Sequence, residues 1–133
     1  PDAMLSVPAT APLRSRADLE NCLDEYEKGD VDVVITVTEA HRSPYFNMVK
    51  ENTDGTVGLV IPLQTSIARR QDSPAVFDMA TVAYVVRPEF VFSNTSTFEG
   101  RVRAVQIPSK RAIDIDTLLD FQIAEYLLGV GED

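Results

Sequence analysis

The stretch Val31-Asp-Val-Val-Ile-Thr-Val37 constrains the fold of this chain more than any other part of it. Six of its seven residues are β-branched, which disfavours helix and suits a pleated strand. The apolar positions are contiguous rather than alternating, so the strand is expected to be covered on both faces, as in sheets flanked by helices. Just upstream, Ser15 and Asp18 have the spacing of a capping box, and Leu19, Cys22, Leu23 and Tyr26 form an apolar stripe. These signals predict a helix over residues 16–28, with Gly29 as its C-terminal cap. The run Met4-Leu-Ser-Val7 before it reads as another buried strand. Strand, helix and strand in that order imply a right-handed parallel unit.

The middle of the chain changes character. Tyr45-Phe-Asn-Met-Val49 and Val57-Gly-Leu-Val-Ile61 flank Asn52-Thr-Asp-Gly55, whose Asp-Gly is a strong hairpin signal. Residues 62–74 show little periodicity and carry Arg69 and Arg70. Thr81-Val-Ala-Tyr-Val-Val86 returns to a strand, Pro88-Glu-Phe-Val-Phe92 suggests a helical turn, and residues 101–107 alternate as a strand with one wet face. Thr117 and Asp120 form a second capping box, opening a helix that runs to Leu128 and stops at Gly129.

At 133 residues and 44% hydrophobic, the chain is expected to form one domain. A net charge of -9 and a pI near 4.5 argue against non-specific binding to nucleic acid or to an anionic membrane surface, both of which attract basic patches. The lone Cys22 cannot form an internal disulfide, and its place on the helix stripe makes it a buried structural thiol. No apolar run has the length of a membrane span or the layout of a signal peptide, so the expected compartment is cytoplasmic. The single histidine, His41, has no catalytic partner in view.

The chemistry centres on Asp114 and Asp116. If Ile113 to Asp116 is a strand, both aspartates project from one face and both isoleucines enter the core. Two carboxylates so placed at a strand end, just before a helix, can serve one metal ion where open α/β sheets bind ligands. The alternative is an ordinary strand end at which Asp116 helps to cap the helix.

Three motifs extend this reading. Ala9-Thr-Ala-Pro-Leu-Arg14, Arg69-Arg-Gln-Asp-Ser-Pro74, and Ala112-Ile-Asp-Ile-Asp-Thr-Leu-Leu-Asp-Phe121 with Ala124-Glu-Tyr-Leu-Leu128 stand in order along nearly the whole chain. In this the chain resembles the acylneuraminate cytidylyltransferases, the CMP-N-acetylneuraminic acid synthetase family, and specifically their C-terminal part. The resemblance implies the C-terminal portion of a Rossmann-like α/β nucleotidyltransferase fold, with a mostly parallel sheet and a projecting β-rich dimerisation arm over about residues 41–74. Residues 1–133 would be a single partial domain, because the Gly-rich, basic loop that cradles CTP in such enzymes has no counterpart here.

The activity implied is transfer of CMP from CTP to an acidic nonulosonic sugar with release of pyrophosphate, in a homodimer or tetramer. By resemblance, Asp114 and Asp116 are catalytic and hold Mg2+, and Arg70 and Gln71 meet the sugar. Thr10 could supply a hydroxyl there, and Arg14 is as well suited to holding a neighbouring carbonyl as to facing the nucleotide. The chain departs from the family at Pro8, which replaces a glutamine that contacts the sugar, and at Ala80-Thr81, where many relatives carry Asn-Gly. Alone, the chain is expected to be inactive. Alternative readings are a non-catalytic oligomerisation or regulatory half-domain, or CMP transfer to legionaminate, pseudaminate or octulosonate.

Overall fold

A computed structural model describes residues 3–62, 73–93 and 96–130. The chain divides into two compact units, one made of residues 1–39 and 78–133 and the other of residues 40–77.

The larger unit is built on a sheet of four strands in the order β1-β5-β2-β6, with β1 at Met4–Ser6, β2 at Val33–Glu39, β5 at Phe77–Val86 and β6 at Val102–Gln106. β2 pairs with β6 in parallel, from Val33 opposite Val102 to Val37 opposite Gln106. β1 pairs with β5 in antiparallel fashion, Met4 opposite Val86 and Ser6 opposite Tyr84. Between β2 and β5, the Arg87 amide donates to the Asp32 carbonyl (2.8 Å), while the Thr36 hydroxyl donates to the Ala80 carbonyl (2.9 Å). Numbers fall along β5 as they rise along β2, so these strands are antiparallel. β1, β2 and β6 therefore run in one direction and β5 runs against them. The parallel pair expected from the strand-helix-strand order is present in direction, but β5 is inserted between its members.

Helix α1, Arg16–Glu27, begins with the expected capping box: Asp18 N donates to Ser15 Oγ and Ser15 N donates to Asp18 Oδ2. It ends at Gly29, whose φ of +83° is the left-handed conformation of a helix C-terminus and whose amide donates to the Tyr26 carbonyl. Its inward face places Cys22 among Ala11, Val34, Val82, Val85 and Ile107, with Leu19, Leu23 and Tyr26 at the margin. Burial, followed by the nearby charge of Asp18, pushes the Cys22 thiol up to about 11, so it is a packed side chain and not a nucleophile. The opposite face of β2 presents Val33, Ile35 and Val37 to Phe90 of helix α2, Pro88–Ser93. Two covered faces account for the unbroken apolar run with which the sequence marks β2.

β1 departs from its expected burial. Met4 is 46% exposed and Leu5 40%, because this short strand pairs with β5 along one side and forms an edge of the sheet. Helix α3, Leu118–Gly129, starts at the predicted Thr117 cap, yet among its described residues Ala124 is the buried one. Leu118, Leu119, Tyr126 and Leu128 are each more than 60% exposed.

In the smaller unit, β3 at Val49–Glu51 and β4 at Val57–Leu59 form the expected antiparallel hairpin, with Gly55 at φ +88° in its turn. Asn47 Oδ1 accepts from the Ser43 amide at its base, and the Ile61 amide donates to the Pro44 carbonyl. Among the described residues, no helix is long and apolar enough to cross a membrane.

Candidate functional site

Asp114 and Asp116 do not lie on a strand. β6 ends at Gln106, a short 3-10 helix follows at Ser109–Ala112, and residues 113–117 run extended without ladder pairing into α3. Ile113 and Ile115 are half-buried and do not enter the core as strict alternation would require. The segment is instead fixed by single contacts, the first of which is the Ile115 amide donating to the Thr10 carbonyl (2.8 Å).

Asp114 sits at the centre of these contacts. Its Oδ1 accepts the Thr10 hydroxyl at 2.5 Å and the Thr81 hydroxyl at 2.7 Å, joining the loop after β1, the interior of β5 and the approach to α3. The hydroxyl of Thr10, followed by that of Thr81, holds the Asp114 carboxyl below its ordinary value. The negative charge of Asp114 pushes the Asp116 carboxyl the other way, upward. The charge of one carboxylate thus bears on the other.

The competing role for Asp116 is taken by another residue. Asp120 Oδ2 accepts the amides of both Asp116 (3.1 Å) and Thr117 (3.0 Å), and Thr117 Oγ1 accepts the amide of Asp120 (3.1 Å). Asp120 and Thr117 cap α3, which leaves the Asp116 side chain exposed beside Asp114.

Two further contacts stiffen the surroundings. Arg14 Nε donates to the Val82 carbonyl at 2.8 Å, and Nη2 donates to the Pro8 carbonyl. Arg14 thus holds neighbouring carbonyls, one of the two roles open to it from sequence, and burial lowers its pKa. Arg111, at the end of the 3-10 helix, grips Asp18 with both prongs: Nε to Oδ2 at 3.0 Å and Nη2 to Oδ1 at 2.9 Å. Asp18 is 1% exposed, so the helix cap of α1 also anchors the segment that carries the acidic pair.

Arg70 and Gln71 lie outside the described residues. His41 is exposed and belongs to the smaller unit. Among the described residues no group of three or more His, Cys, Asp or Glu gathers as a metal site would require if protein alone supplied the ligands. A pair is enough for an ion that takes its other ligands from phosphate and water. Thr81 was missed from sequence as a partner of Asp114, because a contact across 33 positions leaves no local pattern. Its one signal was the departure at Ala80-Thr81.

No protein-family model matches the chain. It is 33% identical over 127 residues to post-translational flagellin modification protein B of Campylobacter coli, covering 96% of this chain and 53% of that protein. It is 30% identical over 97 residues to a CMP-N,N'-diacetyllegionaminic acid synthase of Campylobacter jejuni, covering 73% of this chain and 40% of that protein. The chain thus spans about half the length of the curated relatives it matches. Its fold is similar to the crystal structure of a 4-diphosphocytidyl-2C-methyl-D-erythritol synthase from Anaerococcus prevotii, with a TM-score of 0.63, 16% identity, and coverage of 96% of this chain and 59% of that one.

Proposed function

We propose, from the premise that this chain belongs to the acylneuraminate cytidylyltransferase family, that it supplies the acidic half of a site transferring CMP from CTP to an acidic nonulosonic sugar. The observation that carries this reading is the placing of Asp114, fixed by the Thr10 and Thr81 hydroxyls beyond the carboxyl ends of β1 and β6, with the exposed Asp116 two residues on. That is where open α/β sheets bind nucleotides and their substrates. A relative named for diacetyllegionaminic acid supports an acidic nine-carbon sugar of that type as the acceptor.

The residues fit a divalent cation. The donors are hard carboxylate oxygens, and their mutual repulsion, expressed in the raised Asp116, is relieved by a positive charge between them. Asp114 and Asp116 would hold Mg2+, which when bound neutralises charge on phosphate oxygens and polarises the attacking hydroxyl. In the reaction the anomeric oxygen of the sugar bonds to the α-phosphorus of CTP. The bond to the bridging oxygen breaks, pyrophosphate leaves, and the hydroxyl proton is lost. Arg70 and Gln71 would hold the sugar carboxylate, for which a guanidinium offers two parallel donors.

The test is an assay of pyrophosphate release by the chain joined to the N-terminal half of a relative. Asp114→Asn and Asp116→Asn keep side-chain volume but remove charge, and each is expected to lower turnover about a hundredfold or more while circular dichroism stays unchanged. Near-normal turnover at saturating Mg2+ in both variants would refute the assignment. A second reading, a non-catalytic oligomerisation module, draws on the exposed apolar surface of α3 and predicts no turnover in any combination.

A further inference from the structure

Asp114 receives two hydroxyl hydrogen bonds on the same oxygen. Thr10 Oγ1 and Thr81 Oγ1 both donate to Oδ1, and a carboxylate oxygen offers about two lone-pair directions. Oδ1 is therefore saturated, and Oδ2 remains for a ligand. Neither hydroxyl is free to drift. Thr81 is flanked on β5 by Ala80, whose carbonyl accepts from Thr36 Oγ1, and by Val82, whose amide donates to the same Thr36 oxygen; Thr36 is fully buried. Arg14 ties the Val82 carbonyl to that of Pro8, and the Thr10 carbonyl accepts the Ile115 amide, so both donors are fixed to Asp114 through the main chain.

We propose that Thr81, together with Thr10, is a positioning residue that makes Asp114 a one-oxygen ligand and so selects a small octahedral cation over a large one. Ca2+ takes six to eight oxygens in loose geometry and commonly uses both oxygens of a carboxylate. Mg2+ and Mn2+ are satisfied by one oxygen from each carboxylate with water and phosphate completing an octahedron. By occupying Oδ1, the two threonines withhold the second oxygen that Ca2+ would use. This rests on the reading that Asp114 and Asp116 hold a divalent cation.

The experiment titrates the 133-residue chain with Mn2+, followed by electron paramagnetic resonance, with Ca2+ as competitor. Thr81→Val keeps the shape and β-branching but removes the hydroxyl. Mn2+ binding is expected to weaken about tenfold, as for loss of other groups that orient a metal ligand, while Ca2+ binding does not weaken. Thr81→Ser, which restores the hydroxyl, is expected to restore the wild-type preference, and it carries the test if the valine variant fails to fold. Equal losses for the two ions, or an unmoved preference in Thr81→Val, would overturn the selector role. Mn2+ binding that is lost in Asp114→Asn but unmoved in Thr81→Val would sink this inference alone. Binding that survives Asp114→Asn undiminished would sink the cation reading, and this inference with it.

Discussion

The carboxylate of Asp18 caps α1 and also receives both prongs of Arg111, and this matters for the acidic pair because Arg111 stands three residues before Asp114. Burial by itself would push Asp18 upward, but the hydrogen bonds and charge of Arg111, with those from Ser15, bring it below its ordinary value. Removing one partner of a buried pair leaves an uncompensated charge, so Arg111→Met is expected to destabilise the fold by about 3 kcal/mol near neutral pH. The sign of its pH dependence follows from the lowered value. A carboxyl depressed in the folded state contributes stability above its unfolded pKa of about 3.9, and that stability is lost as pH falls through the folded value. The gap between wild type and Arg111→Met, read from urea unfolding midpoints, should be full near neutrality and narrow below about pH 4. A gap that is constant with pH would show that the arginine acts through packing alone.

At the scale of elements, two glycines separate two causes of backbone demand. Gly29 ends α1 at φ +83° with nothing within 4 Å of where a Cβ would lie, so its requirement is conformational. Gly100 precedes β6 without a positive φ, yet an added Cβ would lie 2.5 Å from Phe90 Cε1 and 2.6 Å from Asp32 Oδ2. Asp32 is the hub at that end of the sheet, accepting Arg87 Nε and Nη2 on Oδ1 and the Arg101 amide on Oδ2. Gly100→Ala must displace it and is expected to cost about 2 kcal/mol in urea unfolding, the scale of an overpacked contact; an unchanged midpoint would mean that Phe90 and Asp32 give way freely. The contrast also indicates what was legible in the sequence. Helices α1 and α3, their capping boxes, the Gly29 cap, the hairpin and the buried β2 were readable because each is written in residues a few positions apart. The insertion of β5 between β1 and β2, the exposure of β1, and the unpaired path of Asp114 and Asp116 were not, since strand order and edge position are decided by distant partners. The spacing of Asp114 and Asp116 singled them out, but the hydroxyl donors to Asp114 were not readable, because Thr10 lies 104 positions away.

At the scale of the whole molecule, exposed apolar surface is the feature that most needs a partner. The hairpin unit leaves Met48 42%, Val49 60% and Val57 61% exposed, and a two-stranded hairpin is marginal when isolated. Self-association as a dimer or a multiple of one is the expected outcome in sedimentation; a well-folded monomer at micromolar concentration would contradict it. The larger unit presents a second surface, where α3 is apolar on nearly every side and β1 offers Met4 and Leu5 at an edge of the sheet. A helix apolar all round is normally covered on more than one side. The chain spans 53% of one relative and 40% of another, and its 133 residues hold no Gly-rich basic stretch to cradle a triphosphate. Positioning and charge stabilisation of the triphosphate dominate phosphoryl transfer, and the acidic pair can serve only the cation side of that task. The purified chain is therefore expected neither to bind CTP tightly nor to release pyrophosphate, whereas adding the N-terminal half of a relative should restore both and bury the exposed face of α3. Hydrogen exchange on α3, slowed on addition of that half in step with the appearance of pyrophosphate, is the measurement that joins the two effects. Pyrophosphate release by the chain alone, abolished by Asp114→Asn, would show instead that these residues already contain a complete site.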